Sequence, residues 1–395
     1  MSENRLTTVE RVAWKAEPHA LAGAVATAIE QAYGAISADL LLADYRLDFL
    51  VPVVSGRPAF AMDGTSAGRA FAAQETVTVK TGDGDTWEVH VPLTVRGDRS
   101  GVLTVALPDE PDDATCEELH AVAGVIARAL KIADVGSDVF RNIRRRNRLT
   151  LAAEIQWELL PGRSCVTDEY HLAGQLEPAY AIWGDNFDWS TSAEHLTVSV
   201  TNGMGRGAEA ALLTQLAVGA LRNARRSGAD LIEQATLANE TIYNQHHGQR
   251  HISTLLLRFD VATGRVGAID AGSPKIFRMR NGTVEPVSLD AQLPLGMFED
   301  TNYTEQEFTV ESGDRLVIFS DGFHTARSPR GETYGASALA AALRQTQLQS
   351  PSEMVRTLTR GLLDYHDGIE LADDAVVLCL DWTGRTAANA VAADG

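Results

Sequence analysis

The chain has 395 residues, 45% hydrophobic and 22% charged, with a formal net charge of -19. That length exceeds one ordinary core, so two or three domains are expected, and the negative charge excludes general nucleic-acid binding because backbone phosphates would be repelled. No apolar run approaches the ~20 residues of a membrane span, and the polar start "MSENRLTTVERVAWK" is unlike a secretory signal. Cys116, Cys165 and Cys379 are isolated and form no zinc or disulfide pattern, so a cytoplasmic protein in a reducing compartment is expected.

In chain order, "HALAGAVATAIEQAYGA" has a helical pattern. Short strand-like runs follow, among them "ETVTVKTG", "WEVHVPLTV" and "SGVLTVALP". A helix then closes the region, with Leu119, Val122, Val125, Ile126 and Leu130 on one apolar stripe. Helix, antiparallel strands, helix is an α+β module. With "GRAF" at 68–71, "VPL" at 91–93 and "GVLTV" at 101–105, residues 15–133 resemble a GAF sensory domain. The resemblance implies a small-molecule signal at this domain. A ligand-free dimerisation module is the alternative.

Residues 134–162 read as one linker helix, with Phe140, Ile143, Leu151, Ile155 and Leu159 as its apolar seam and Pro161–Gly162 as its stop. That seam makes a homodimer the expected assembly. Over residues 163–384, strands such as "HLTVSVT", "STLLLRFDV", "GRVGAIDAG" and "DRLVIFSDG" alternate apolar and polar residues. Long helices interrupt them, so two sheets with helices outside, an α/β/β/α sandwich, are expected. The small polar tail 385–395 is expected to be disordered.

The chemistry gathers at turns. "VTNGMGRGAEAALL" (200–213) reads as strand, glycine turn and helix, and Gly203, Gly205 and Ala208 satisfy a dinucleotide fingerprint. That reading also needs a second strand ending in an acid about 20 residues on; helices occupy that stretch, and the reading fails. Acids recur at other strand ends: Asp185 and Asp188 in "GDNFD", Asp321 in "SDGF", Asp373 and Asp374 in "LADDAVV". Any one such Asp could merely cap a turn. Together they offer the oxygen ligands and negative charge that a hard divalent cation requires.

The ordered set "GDNFD", "GMGRGAEAALL", "LPLG" (293–296), "SGDRLVIFSDG" (312–322), "YG" (334–335) and "ADD" resembles the SpoIIE/RsbU branch of metal-dependent PP2C-type (PPM) phosphatases, with "LAAEIQWELLPG" as the lead-in. The resemblance covers about residues 150–382. It implies paired sheets flanked by helices, two Mn²⁺ or Mg²⁺ ions, and hydrolysis of phosphoserine or phosphothreonine on a partner protein such as an anti-sigma-factor antagonist. Position by position it implies Asp185, Asp321 and Asp373 as catalytic metal-site acids and Gly203 as a carbonyl ligand. Asn202 falls where the family has the carboxylate that bridges both ions. An amide offers one neutral oxygen where a carboxylate offers two charged ones. "WGD" replaces "GGD", "AGS" (271–273) replaces "AGH", and "DDxT" ends in Val376. Two readings stay open: an active phosphatase borrowing a ligand from Asp188 or Asp374, or a pseudophosphatase that binds partners without turnover. His246, His247 and His251 read as a solvated loop.

Overall fold

The computed structural model describes residues 4–82, 86–145, 150–177, 183–272, 275–328, 330–366, 371 and 373–385. The chain divides into two units, residues 1–148 and 149–395.

Unit 1 begins with helices α1 (Arg5–Lys15) and α2 (Leu21–Tyr33), then strands β1 (Ser37–Ala43), β2 (Phe49–Pro52) and β3 (Phe60–Ala61). Helix α3 (Ser66–Ala73), strands β4 (Val77–Lys80), β5 (Trp87–Val95) and β6 (Asp98–Leu107), and helices α4 (Asp113–Gly136) and α5 (Val139–Arg144) complete it. Its antiparallel sheet has the order β3-β2-β1-β6-β5-β4. Strand alternation gives the sheet two apolar faces. Leu40, Leu42, Val91 and Val105 pack with α1, α2 and α4, while Leu41, Leu50 and Val102 pack with Ala70 and Phe71 of α3. The α4 stripe of Leu119, Val122, Val125, Ile126 and Leu130 is buried as its spacing predicts. This is the expected α+β module, extended at its start by α1, which polar composition concealed.

The linker expected as one helix is divided. Helix α4 runs on to Gly136, and Ser137 then turns extended, its Oγ accepting from the Val139 N–H. Arg145 after α5 is extended as well, and Thr150 caps a new helix through the Ala153 N–H at 3.2 Å. Glycine and side-chain caps end helices where an apolar pattern alone would continue them. The seam from Phe140 to Leu159 is therefore discontinuous.

Unit 2 starts with that helix, α6 (Leu151–Leu159), followed by β7 (Ser164–Val166), β8 (Tyr170–Glu177), β9 (Asn186–Thr191) and β10 (His195–Asn202). Helices α7 (Ala208–Arg226) and α8 (Leu231–His246) precede β11 (Ser253–Asp260), β12 (Arg265–Ala271), β13 (Lys275–Arg280), β14 (Thr283–Pro286), β15 (Gln306–Thr309) and β16 (Arg315–Phe319). Helices α9 (Asp321–Thr325), α10 (Tyr334–Ser337), α11 (Leu339–Gln345) and α12 (Pro351–Tyr365) lead to β17 (Ala375–Trp382). Two antiparallel sheets result, β15-β12-β11-β10-β9 and β14-β13-β16-β17-β8-β7.

Period-two patterning builds the layers. Val376, Leu378 and Leu380 of β17 point between the sheets, where they meet Phe187, Val198 and Leu257 of the other sheet. Val377 and Cys379 point outward onto Met354, Leu358 and Leu362 of α12. Leu256 and Ile269 leave the opposite face for Leu213, Leu221, Leu231 and Ile242 of α7 and α8. The α/β/β/α sandwich is as expected. No helix among the described residues is long and apolar enough to cross a membrane. Ser273 and the tail from 386 on lie outside the described residues.

Candidate functional site

Antiparallel pairing fixes which strand ends coincide. Thr201 near the end of β10 pairs with Asn186 at the start of β9. Phe319 at the end of β16 pairs with Val377, and Ala375 at the start of β17 pairs with Glu177 at the end of β8. Asp185 therefore stands beside the end of β10, and Asp321 stands beside Asp373 and Asp374 at the matching edge of the second sheet.

One carboxylate ties the two edges. Asp374 is fully buried, and its Oδ2 accepts from the backbone N–H of Trp183 (2.9 Å), Gly184 (2.8 Å) and Asp185 (3.3 Å). Gln156 of α6 donates its Nε2 to the same oxygen at 2.8 Å and to the Asp185 carbonyl at 3.0 Å. Gly184 takes φ of +95°, and its carbonyl accepts from the Thr214 hydroxyl of α7. Gly203 packs so closely on this segment that a Cβ would lie 2.4 Å from the Trp183 carbonyl oxygen. Only glycine allows that approach.

The acids feel one another. Burial first, then the charges of Asp373 and Asp374, with Asp321 adding less, push the Asp185 carboxyl well above its ordinary value, and a Ser320 hydrogen bond opposes them. Burial and Asp374 raise Asp373 to about 6, against the Asp374 N–H and the Arg206 charge. Asp185 Oδ2, and both Oδ1 and Nδ2 of Asn202, are buried without a hydrogen-bond partner among the described residues. Asp321 is exposed as the first residue of α9. The acids are neighbours, not a closed ligand set: among the described residues no three His, Cys, Asp or Glu side chains are already gathered to hold one ion.

Two expected ligand donors are otherwise engaged. Asp188 is buried in an ion pair with Arg222 (2.8 Å) and Arg225 (3.2 Å) of α7. It cannot stand in for a missing carboxylate, because two cations already neutralise it. Asp374 is the amide clamp just described. Sequence reading missed Gln156, although it lies in the lead-in motif, because a lone Gln in a helix carries no spacing signal. It also missed Arg206, whose guanidinium carbon lies 4.1 Å from the Trp183 ring centre. His246 ends α8, and His247 follows as its left-handed cap.

Comparison with known proteins agrees with this architecture. The family model "Stage II sporulation protein E (SpoIIE)" matches residues 192–383. The phosphoserine phosphatase RsbU of Bacillus subtilis is 22% identical over 236 residues, covering 60% of this chain and 70% of RsbU. Protein IcfG of Synechocystis is 22% identical over 264 residues, covering 59% of this chain but only 42% of IcfG. Among solved structures, the SiaA-PP2C domain of Pseudomonas aeruginosa overlays with a TM-score of 0.50 at 20% identity, over 58% of this chain and 94% of that domain. That likeness is one of fold, in the region where the two sheets and their helices lie. The C-terminal unit of this chain carries a SpoIIE-type PP2C phosphatase domain.

Proposed function

We propose that unit 2 hydrolyses phosphoserine or phosphothreonine on a partner protein, such as an anti-sigma-factor antagonist, and that unit 1 regulates it. The observation that carries this reading is the shared field of Asp185, Asp373 and Asp321 where the two sheets' edges meet. Buried like charges with an unpartnered oxygen are costly unless a cation offsets them. The residues thus fit a divalent ion, Mn²⁺ or Mg²⁺, held by Asp185, Asp321, Asp373, the Asn202 amide oxygen and the Gly203 carbonyl. When bound, such ions supply the charge that takes a phosphoryl group and lowers the pKa of a water enough for attack. Arg206, stacked on Trp183 beside Asp373, offers the positive charge that meets the incoming phosphate.

A cavity of ≈ 200 Å³ in unit 1, lined by Asp39, Arg57, His90 and Thr104 among others, supports a small-molecule signal there. Asn202 supports a second reading. With an amide at the bridging position and, among the described residues, no ligand group closed in advance, the domain would bind partners without turnover.

The test is phosphate release from a phosphoserine protein by the full chain with Mn²⁺, beside Asp321→Ala. Turnover by the parent chain and none by the variant is the expected result. No turnover and no Mn²⁺ binding by either, with partner association intact in both, would establish the second reading.

A further inference from the structure

We infer that Asn202 is a deamidation site, and that the chain supplies its own missing carboxylate by converting Asn202 to aspartate after folding. The functional half of this inference rests on the cation-dependent reading above; the chemical half does not.

Asn202 is followed by Gly203, and this is one of two Asn-Gly pairs in the sequence, the other being Asn281-Gly282. Deamidation begins when the backbone nitrogen of the next residue attacks the side-chain amide carbon, and glycine leaves that nitrogen unshielded. Most buried amides resist because hydrogen bonds hold both ends of the side chain. Asn202 lacks that restraint: its Oδ1 and Nδ2 are both without a partner among the described residues. Nor does the Gly203 N–H have a hydrogen-bond acceptor among them. The pair sits where β10 gives way to a turn with glycine at 203, 205 and 207, the last two at φ of +101° and +64°. Gly203 itself packs on the Trp183–Gly184 backbone, so ring closure has to displace that contact, a movement that the glycines at 205 and 207 ease.

The balance closes with water alone. The Gly203 nitrogen forms a bond to Asn202 Cγ, the Cγ–Nδ2 bond breaks, and Nδ2 leaves as ammonia carrying the proton from the Gly203 N–H. Water then opens the five-membered imide. Cleavage of the new bond gives aspartate on a normal backbone, and cleavage of the original peptide bond gives isoaspartate. Net, the amide and one water become a carboxyl group and ammonia, with no change in oxidation state. The aspartate adds a negative charge to the end of β10, beside the segment that carries Asp185.

The exposed Asn281-Gly282 turn between β13 and β14 provides a clock in the same molecule. The full chain is held in mildly alkaline buffer, with and without Mn²⁺, until half of Asn281 has converted, and peptides are then mapped by mass. A gain of one mass unit at position 202 is expected, and none there in Asn202→Gln, whose longer side chain disfavours the ring. Intact Asn202 in both buffers when Asn281 is half converted would overturn the inference, as would an unchanged mass gain in that peptide of Asn202→Gln. Calorimetric Mn²⁺ titration separates the two halves. Aged protein and Asn202→Asp are expected to bind about tenfold or more tightly than fresh protein. Conversion without tighter binding, together with weak binding by Asn202→Asp, would leave the modification standing and overturn the cation reading. Tight binding by Asn202→Asp without conversion would do the reverse.

Discussion

Asp373 and Asp374 are adjacent in sequence but differ in their hydrogen bonds. Asp374 Oδ2 accepts from three backbone N–H groups and the Gln156 amide, whereas among the described residues Asp373 Oδ1 accepts only the Asp374 N–H. Removing the first should leave buried donors unsatisfied, at about 3 kcal/mol or more. Removing the second takes away a partly buried carboxylate that its neighbours repel. Urea unfolding of the cation-free chain is therefore expected to show a large loss of midpoint for Asp374→Ala. Asp373→Ala should match the parent or exceed it by up to about 1 kcal/mol, while both variants lose cation binding. Equal destabilisation by the two would refute this division of roles. The sequence placed both acids beside a strand start, because turn residues and alternation are local signals. Which carboxylate faces the backbone of residues 183–185 depends on the pairing of β17 with β8 and on the packing of one sheet upon the other, information that no local window contains. For the same reason Asp188 looked like a spare ligand until Arg222 and Arg225, a helix away, were seen to hold it.

At the scale of elements, the strands of unit 2 were readable for two reasons: β10 alternates Leu196, Val198 and Val200 with Thr197, Ser199 and Thr201, and β16 and β17 are short apolar runs buried on both faces, between the other sheet and the helices. Helix boundaries were less so. The pattern over residues 134–162 reads as one helix across positions where Ser137, Arg145 and Thr150 leave the helical backbone. Such breaks are made by caps and by tertiary docking, which override a continuous apolar period. Docking gives α6 its purpose: it delivers Gln156, buried, to the joint between the sheets. Gln156→Leu would keep the helix, since Leu is a good helix former, but would strip a donor from Asp374 and from the Asp185 carbonyl. We expect a loss of about 1–3 kcal/mol in unfolding free energy and weaker Mn²⁺ binding, with helix content by circular dichroism unchanged. Gln156→Leu with parental stability and parental Mn²⁺ affinity would show that α6 merely covers the core.

Across the whole molecule, buried titratable groups are not confined to the acids of unit 2: unit 1 buries His90, and this gives it its own response to acid. His90 on β5 is buried, its Nδ1 3.0 Å from the Thr104 hydroxyl oxygen on β6 and its Nε2 3.6 Å from a Glu88 carboxylate oxygen. Burial, helped by the charge of Arg69, lowers its pKa from 6.5 to about 4. Between those values the unfolded chain carries a proton that the folded unit refuses, so acid favours unfolding in that window. The folded unit should thus lose stability as pH falls from about 6.5 to about 4, by up to about 3 kcal/mol for the full shift. Below about 4 both states hold the proton and the slope from this group ends. Native-state hydrogen exchange of amides in β5 and β6, followed across that range, measures the loss in unit 1 itself. His90→Gln keeps a polar partner for Thr104 and cannot titrate, so subtracting its profile isolates the histidine. The parent should lose protection relative to the variant as pH falls. Parallel profiles would mean that the imidazole accepts its proton in the folded unit as readily as in the unfolded chain, with Glu88 close enough to stabilise the cation against burial.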